Sequence, residues 1–252
     1  LIFTFIFSYT DEHFYHDVRK HFLDFARENY NIFETRNLKI YFEKGHKNTV
    51  QIPVWASDLQ THFDEIHDEF NFDLPKDKIE IFIMKSDHEI TNLFNYSSYT
   101  DVEIVSKPIY STLKHELSHA ISKLIHSDFM KYEFLEEGWA NYKALWDFKN
   151  YNGYAKYVFT NKLITPEGIL GLNEDDLQER FYFYSIGPSF IDYYIKTFGV
   201  EKFKKLKSDI TNISDLTGKS LLENMKDWEK WVLKSDFVMV DDVSDPYFFT
   251  YP

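Results

Sequence analysis

The sequence predicts an α+β fold: a mixed α/β N-terminal lobe with a small sheet, a mainly helical C-terminal lobe, and a cleft between them. Three observations predict it. Segments of β character fall within the first 106 residues, at Leu38–Glu43, Lys78–Met84 and Thr100–Ser106. Apolar residues at helical spacing fill most of the chain after Pro108. Only 8 Gly and 7 Pro punctuate 252 residues, with no repeat or low-complexity run, so long flexible linkers are not expected.

Taken in order, the elements follow from local pattern. Phe14, Val18, Phe22, Phe25 and Ala26 predict a helix from Asp11 to about Phe33. Leu38–Glu43 reads as a strand. Pro53 opens an amphipathic helix over Val54–Phe70, and Lys78–Met84 is a second strand. Thr100–Ser106, with Val102 and Ile104 and a stop at Pro108, reads as a short edge strand. Helices are then expected at Tyr110–Ile125, Glu133–Phe148, Phe183–Phe198, Val200–Ile210 and Ser220–Leu233. The last presents Leu221, Met225, Trp228 and Val232 on one face. This divides the chain into an apolar segment over 1–8, an α/β lobe over 9–106, a helical lobe over 107–237 and a surface tail over 238–252.

Residues 1–7 are almost all apolar. Seven residues cannot cross a bilayer, which takes about 20. They read either as the stump of a signal or anchor segment or as a buried strand, and no small-residue cleavage pattern follows them. No other stretch approaches transmembrane length. An extracellular or cell-surface location is expected, with the cytoplasm as the alternative.

Composition narrows function. Lys plus Arg is 28 and Asp plus Glu is 41, a net charge of −13, which argues against nucleic acid as a partner. The absence of Cys rules out disulfides, a thiol nucleophile, an iron–sulfur cluster and thiolate zinc ligands. Any metal site must be built from His, Asp and Glu. Aromatic residues make up 19% of the chain and read mainly as core filling. His13, His16, His21, His62 and His67 read as surface or half-buried side chains, and His126 as the end of a helix.

One motif carries chemistry. His115-Glu116-Leu117-Ser118-His119 is H-E-x-x-H on a helix with the apolar stripe Leu113, Leu117, Ala120, Ile121 and Leu124. Residues four apart lie about 40° apart around the axis and about 6 Å along it. His115 and His119 can therefore share one tetrahedral ion. Glu116, one step round, can take a proton from a water held by the metal. A chance match in a chain with 10 His is on the order of a few per cent. Such a site takes a third protein ligand and keeps one position open. The next helix offers Glu136 and Glu137, the latter 18 residues after His119.

Glu137-Gly138-Trp139-Ala140-Asn141-Tyr142 reads E-G-x-A-x-Y. With the preceding H-E-x-x-H, the chain from roughly residue 37 to 235 resembles the gluzincin zinc metallopeptidases, nearest the small peptidase MA-like group. The resemblance implies one zinc per chain and makes Glu137 the third ligand. Glu136, the competing carboxylate, reads as a surface acid in the first helical turn, where the helix dipole favours negative charge. Gly138 and Ala140 would then let this helix pack closely beside the H-E-x-x-H helix. Tyr184-Ser185-Ile186-Gly187 resembles the Y-x-x-G stretch of the same clan, which implies Tyr184 as donor to the oxyanion. Thr217–Trp228 is similar to the closing helix of these proteins.

The implied activity is a zinc-dependent peptidase acting on peptide or protein substrates, more in keeping with an endopeptidase. The amine-recognition element G-x-M-E-N of related aminopeptidases is absent, as are N-E-x-x-S-D and the pattern H-E-x-x-H-x-x-G-x-x-H, since position 122 is Ser and position 125 is Ile. A catalytically silent, metallopeptidase-like binding module is the alternative. A metal-free helical interaction domain is a further one.

Overall fold

A computed structural model describes residues 12–45, 49–83, 97–100, 103–106, 110–144, 150–172 and 177–240. Helix α1 (Glu12–Asn29) leads into strands β1 (Asn31–Glu34) and β2 (Leu38–Phe42). Helix α2 (Ile52–Phe70) precedes β3 (Ile79–Ile83), β4 (Ser97–Thr100) and β5 (Glu103–Ser106). The rest is helical: α3 (Tyr110–Leu124), α4 (Glu133–Ala144), α5 (Tyr151–Thr160), the short α6 (Pro166–Ile169), α7 (Leu177–Phe198), α8 (Val200–Ser208), α9 (Ile213–Thr217) and α10 (Leu221–Lys234). This is the expected α+β class. The apolar segment over 1–8, Met84, residues 145–149 and the tail from 241 lie outside the described residues.

The five strands run in the order β1-β2-β3-β5-β4. β2, β3 and β5 are parallel, while β1 and β4 pair antiparallel at the two ends. Leu38, Ile40 and Phe42 stand beside Ile79, Ile81 and Ile83 in register, and all six are buried in one core with Ala56, Leu59, Phe63 and Ile66 of α2 and Leu113 and Leu117 of α3. The opposite face buries Tyr41 and Phe82, stacked with centroids 4.6 Å apart, against Phe22, Leu23 and Ala26 of α1. Tyr41 and Phe82 break a strict apolar–polar alternation because both faces are covered, while Lys39 and Glu80 share the α1 face with them. On the α1 face, Arg27 donates to Glu80 at 2.7 and 3.0 Å, and the Tyr41 hydroxyl donates to Glu80 at 2.7 Å.

Two strand expectations are corrected. The first helix ends at Asn29 rather than at about Phe33, and Asn31–Glu34 forms strand β1 at one end of the described sheet. A turn at Thr35 forces the reversal: Leu38 N–H donates to Thr35 Oγ1 at 3.1 Å, and Thr35 N–H to the Leu38 carbonyl at 2.9 Å. Thr100–Ser106, expected as one edge strand, is instead parts of two. Glu103–Ser106 is interior, paired with β3 and β4, and the described sheet ends at Ser97–Thr100. Period-two patterning cannot distinguish one strand from the two arms of a tight antiparallel pair. Val102 lies outside the described residues.

Helix ends are set by local chemistry. Pro53 sits in the first turn of α2, and Asn71 closes that helix at φ 48°. After α3, His126 adopts φ 51°. Its N–H donates to the Lys123 carbonyl at 3.0 Å, and Ser127 N–H to the Ser122 carbonyl at 2.9 Å, a Schellman ending. Ser220 and Glu223 form a capping box at the start of α10. The main core cluster runs without a break from the sheet through α3, α4 and α7 to Trp228 and Val232 of α10. No helix among the described residues is long and apolar enough to cross a membrane.

Candidate metal centre

Helix α3 is clamped between α2 and α4. Leu117, Ala120 and Ile121 are fully buried, which fixes its rotation and turns His115 and His119 inward, 3% and 1% exposed. Their rings are 4.6 Å apart at the centroids, and the two Nε2 atoms are 3.0 Å apart. Glu137 enters from α4. Its Oε2 lies 3.1 Å from His115 Nε2 and 3.4 Å from His119 Nε2. Among the described residues this is the group of His and carboxylate side chains that could hold a metal ion. Glu116 is buried at 6% exposure beside them in sequence.

The far side of each imidazole is also tied. His119 Nδ1 is 3.0 Å from Glu136 Oε1, and His115 Nδ1 is 2.8 Å from Asn141 Oδ1. Both partners accept, so each Nδ1 donates and each Nε2 is left facing the centre. Two Nε2 atoms and a buried carboxylate oxygen then face one another within 3.4 Å. Glu137 Oε2 is buried and receives no well-aligned hydrogen bond. A tetrahedral ion with bonds of about 2.0 Å holds its ligand atoms about 3.3 Å apart. The donors fit such an ion in type and in spacing.

Electrostatics agree. Burial disfavours charge on His119, but the facing Glu137 and Glu136 carboxylates more than reverse this and hold its pKa well above the ordinary value. Burial likewise acts to raise Glu137, and His119 and His115 overcome it and hold the carboxyl far below the usual range. The pocket is therefore built for positive charge at its centre.

Glu136 is not the surface acid expected from its place in the first turn of α4. It is 4% exposed, and its second oxygen accepts from Lys207 Nζ at 3.2 Å. Burial acts to raise its pKa, and Lys207 and His119 pull it down to about 2. Lys207, on α8, is itself fully buried. Its Nζ donates to Ser122 Oγ at 2.9 Å and sits 3.5 Å from the centroid of the Trp139 ring. Burial pushes this amine down to about 8, partly offset by Glu136.

Tyr184 is brought to the site. Its ring lies 5.9 Å from that of His115. Two features of α7 put it there. Gly187 meets Gly138 backbone to backbone: a Cβ on Gly138 would stand 2.7 Å from the Gly187 carbonyl carbon. So Gly138 admits α7, not the H-E-x-x-H helix that the sequence suggested. Pro188 lies inside α7 and has no N–H to give the Tyr184 carbonyl one turn back. Asn141 Nδ2 donates to that carbonyl at 3.2 Å instead.

Sequence reasoning named His115, Glu116, His119, Glu137 and Tyr184, and the structure gathers His115, His119, Glu137 and Tyr184 in one place. It missed Asn141 and Lys207 and misplaced Glu136. A signal existed for Lys207, which falls on the stripe Phe203, Leu206, Ile210 of otherwise apolar residues. His62 is similarly corrected. It lies on the stripe Leu59, Phe63, Ile66, is buried, and pairs through Nε2 with Ser118 Oγ at 2.9 Å. No protein-family model matches the chain, and a search of curated proteins gives no significant match.

Proposed function

We propose that the protein is a zinc-dependent peptidase that cleaves within polypeptide chains. The observation that carries this is the convergence of His115 Nε2, His119 Nε2 and Glu137 Oε2 at 3.0–3.4 Å, with each imidazole tied at Nδ1. These three residues would hold the zinc. Zinc, when bound, lowers the pKa of a coordinated water from 15.7 toward about 7 and polarises a carbonyl.

The chain's own groups supply the remaining chemistry. Glu116 accepts the proton of the attacking water and passes it to the leaving amine nitrogen. The Tyr184 hydroxyl donates to the carbonyl oxygen as it gains negative charge. Gly187 and Pro188 set where that tyrosine stands. The substrate backbone adds along β4 (Ser97–Thr100), the last strand of the described sheet.

Glu116→Gln tests the mechanism. Zinc content should be unchanged, and turnover of a mixed peptide library should fall by ~10²–10⁴. Equal turnover by the two proteins would remove Glu116 from the mechanism. A wild type that binds zinc but cleaves nothing would instead be a binding module.

A further inference from the structure

We propose that Lys207 is a positioning residue for the metal centre: through Glu136 it holds the His119 ring and so sets how tightly zinc is bound. The inference rests on the zinc reading above. Three helices form a line here. Lys207 of α8 donates to Glu136 Oε2 of α4 at 3.2 Å, and Glu136 Oε1 meets His119 Nδ1 of α3 at 3.0 Å. The ammonium has little freedom to move. It also donates to Ser122 Oγ at 2.9 Å and lies against two aromatic faces, 3.5 Å from the Trp139 centroid and 4.9 Å from that of Phe129.

The two histidines are oriented by different kinds of group. His115 is oriented by the neutral amide of Asn141. Orientation alone therefore does not need a charge. His119 is given a carboxylate instead, a stronger acceptor that raises the donor strength of the opposite ring nitrogen. A carboxylate buried at 4% exposure needs a counter-charge to stay in place, and Lys207, fully buried, supplies it. Apolar pairs of similar volume are often at least as stable as buried ion pairs. Stability is thus a weak account of this pair, and its place behind His119 is a direct one.

A double-mutant cycle on the full chain tests this, reading the zinc dissociation constant by competition with a chromophoric chelator. Lys207→Met should weaken zinc binding ~10–100-fold. Glu136→Gln keeps a carbonyl for His119 and should lose no more than that. The double variant should bind zinc as Glu136→Gln does, because Lys207 acts only on the carboxylate. Wild-type affinity in Lys207→Met would overturn the proposal while leaving the zinc site standing. So would a double variant weaker than Glu136→Gln by the full Lys207→Met factor. Should Lys207→Met fail to fold, Glu136→Gln and the double variant decide: equal affinities support the role, and a further loss overturns it. A wild type that binds no zinc would overturn both this role and the reading beneath it.

Discussion

One amide at Asn141 does two things that the site requires. Its oxygen accepts from His115 Nδ1, and its nitrogen donates to the Tyr184 carbonyl, to which Pro188 has no N–H to offer. The proposed ligand His115 and the proposed oxyanion donor Tyr184 are thereby referred to the same side chain. Below them, His62 supports α3 from α2. The Ser118 hydroxyl donates to the Lys114 carbonyl at 2.9 Å, so His62 Nε2–H donates to Ser118 Oγ at 2.9 Å. Burial drives the His62 pKa down from 6.5 to about 3, and Lys114 adds to the effect. The folded value lies below the unfolded one, so the unfolded chain binds more protons between them. Stability contributed by neutral His62 is present above about 6.5 and is lost as pH falls toward about 3. Urea unfolding between pH 7 and 4 should show a slope shallower by up to about one proton in His62→Gln. Identical slopes would contradict the burial of a neutral His62. At this scale His115, Glu116 and His119 were legible because their spacing is a property of a single helix. Asn141, Glu136 and Lys207 owe their roles to contacts between helices, which no local pattern records.

The decisive contact between elements is that of α4 with α7. Gly138 and Gly187 face each other, and a Cβ on Gly187 would stand 2.7 Å from the Gly138 Cα. Backbone cannot yield as a flexible side chain can, so any added carbon must part the helices. Gly138→Ala should cost about 1–3 kcal/mol in urea unfolding and lower peptide turnover by displacing Tyr184 from His115. Unchanged stability and turnover would contradict the close approach. The sequence marked both glycines through their motifs, but it assigned Gly138 the wrong neighbour. A glycine within a helix announces close packing without saying against which element. Helix α10 was legible almost to the residue from the face Leu221, Met225, Trp228 and Val232, and the structure adds the capping box of Ser220 and Glu223 at its start. The interior place of β5 was not legible, because strand order depends on which segments pair across the sheet.

Across the whole molecule, the sheet is covered on both faces, by α1 on one and by α2 and α3 on the other. Helix α3 therefore belongs to the sheet's core while its two histidines meet α4 and α7 of the helical half. The centre forms where the halves share one continuous core. That α+β plan was readable from the change in apolar period after Pro108. Helices α5, α6 and α9 were not, being 10, 4 and 5 residues long and too short to show a strong stripe. Neither the charge of −13 nor the 19% aromatic content bears on the chemistry beyond a handful of side chains. The absence of Cys does bear on it, since it leaves His and carboxylate to build the centre. Metal analysis of the purified, zinc-supplemented chain tests that centre most directly. Wild type should retain about one zinc per chain and His115→Ala essentially none. A wild type without metal, or a His115→Ala variant that retains it as wild type does, would contradict the account.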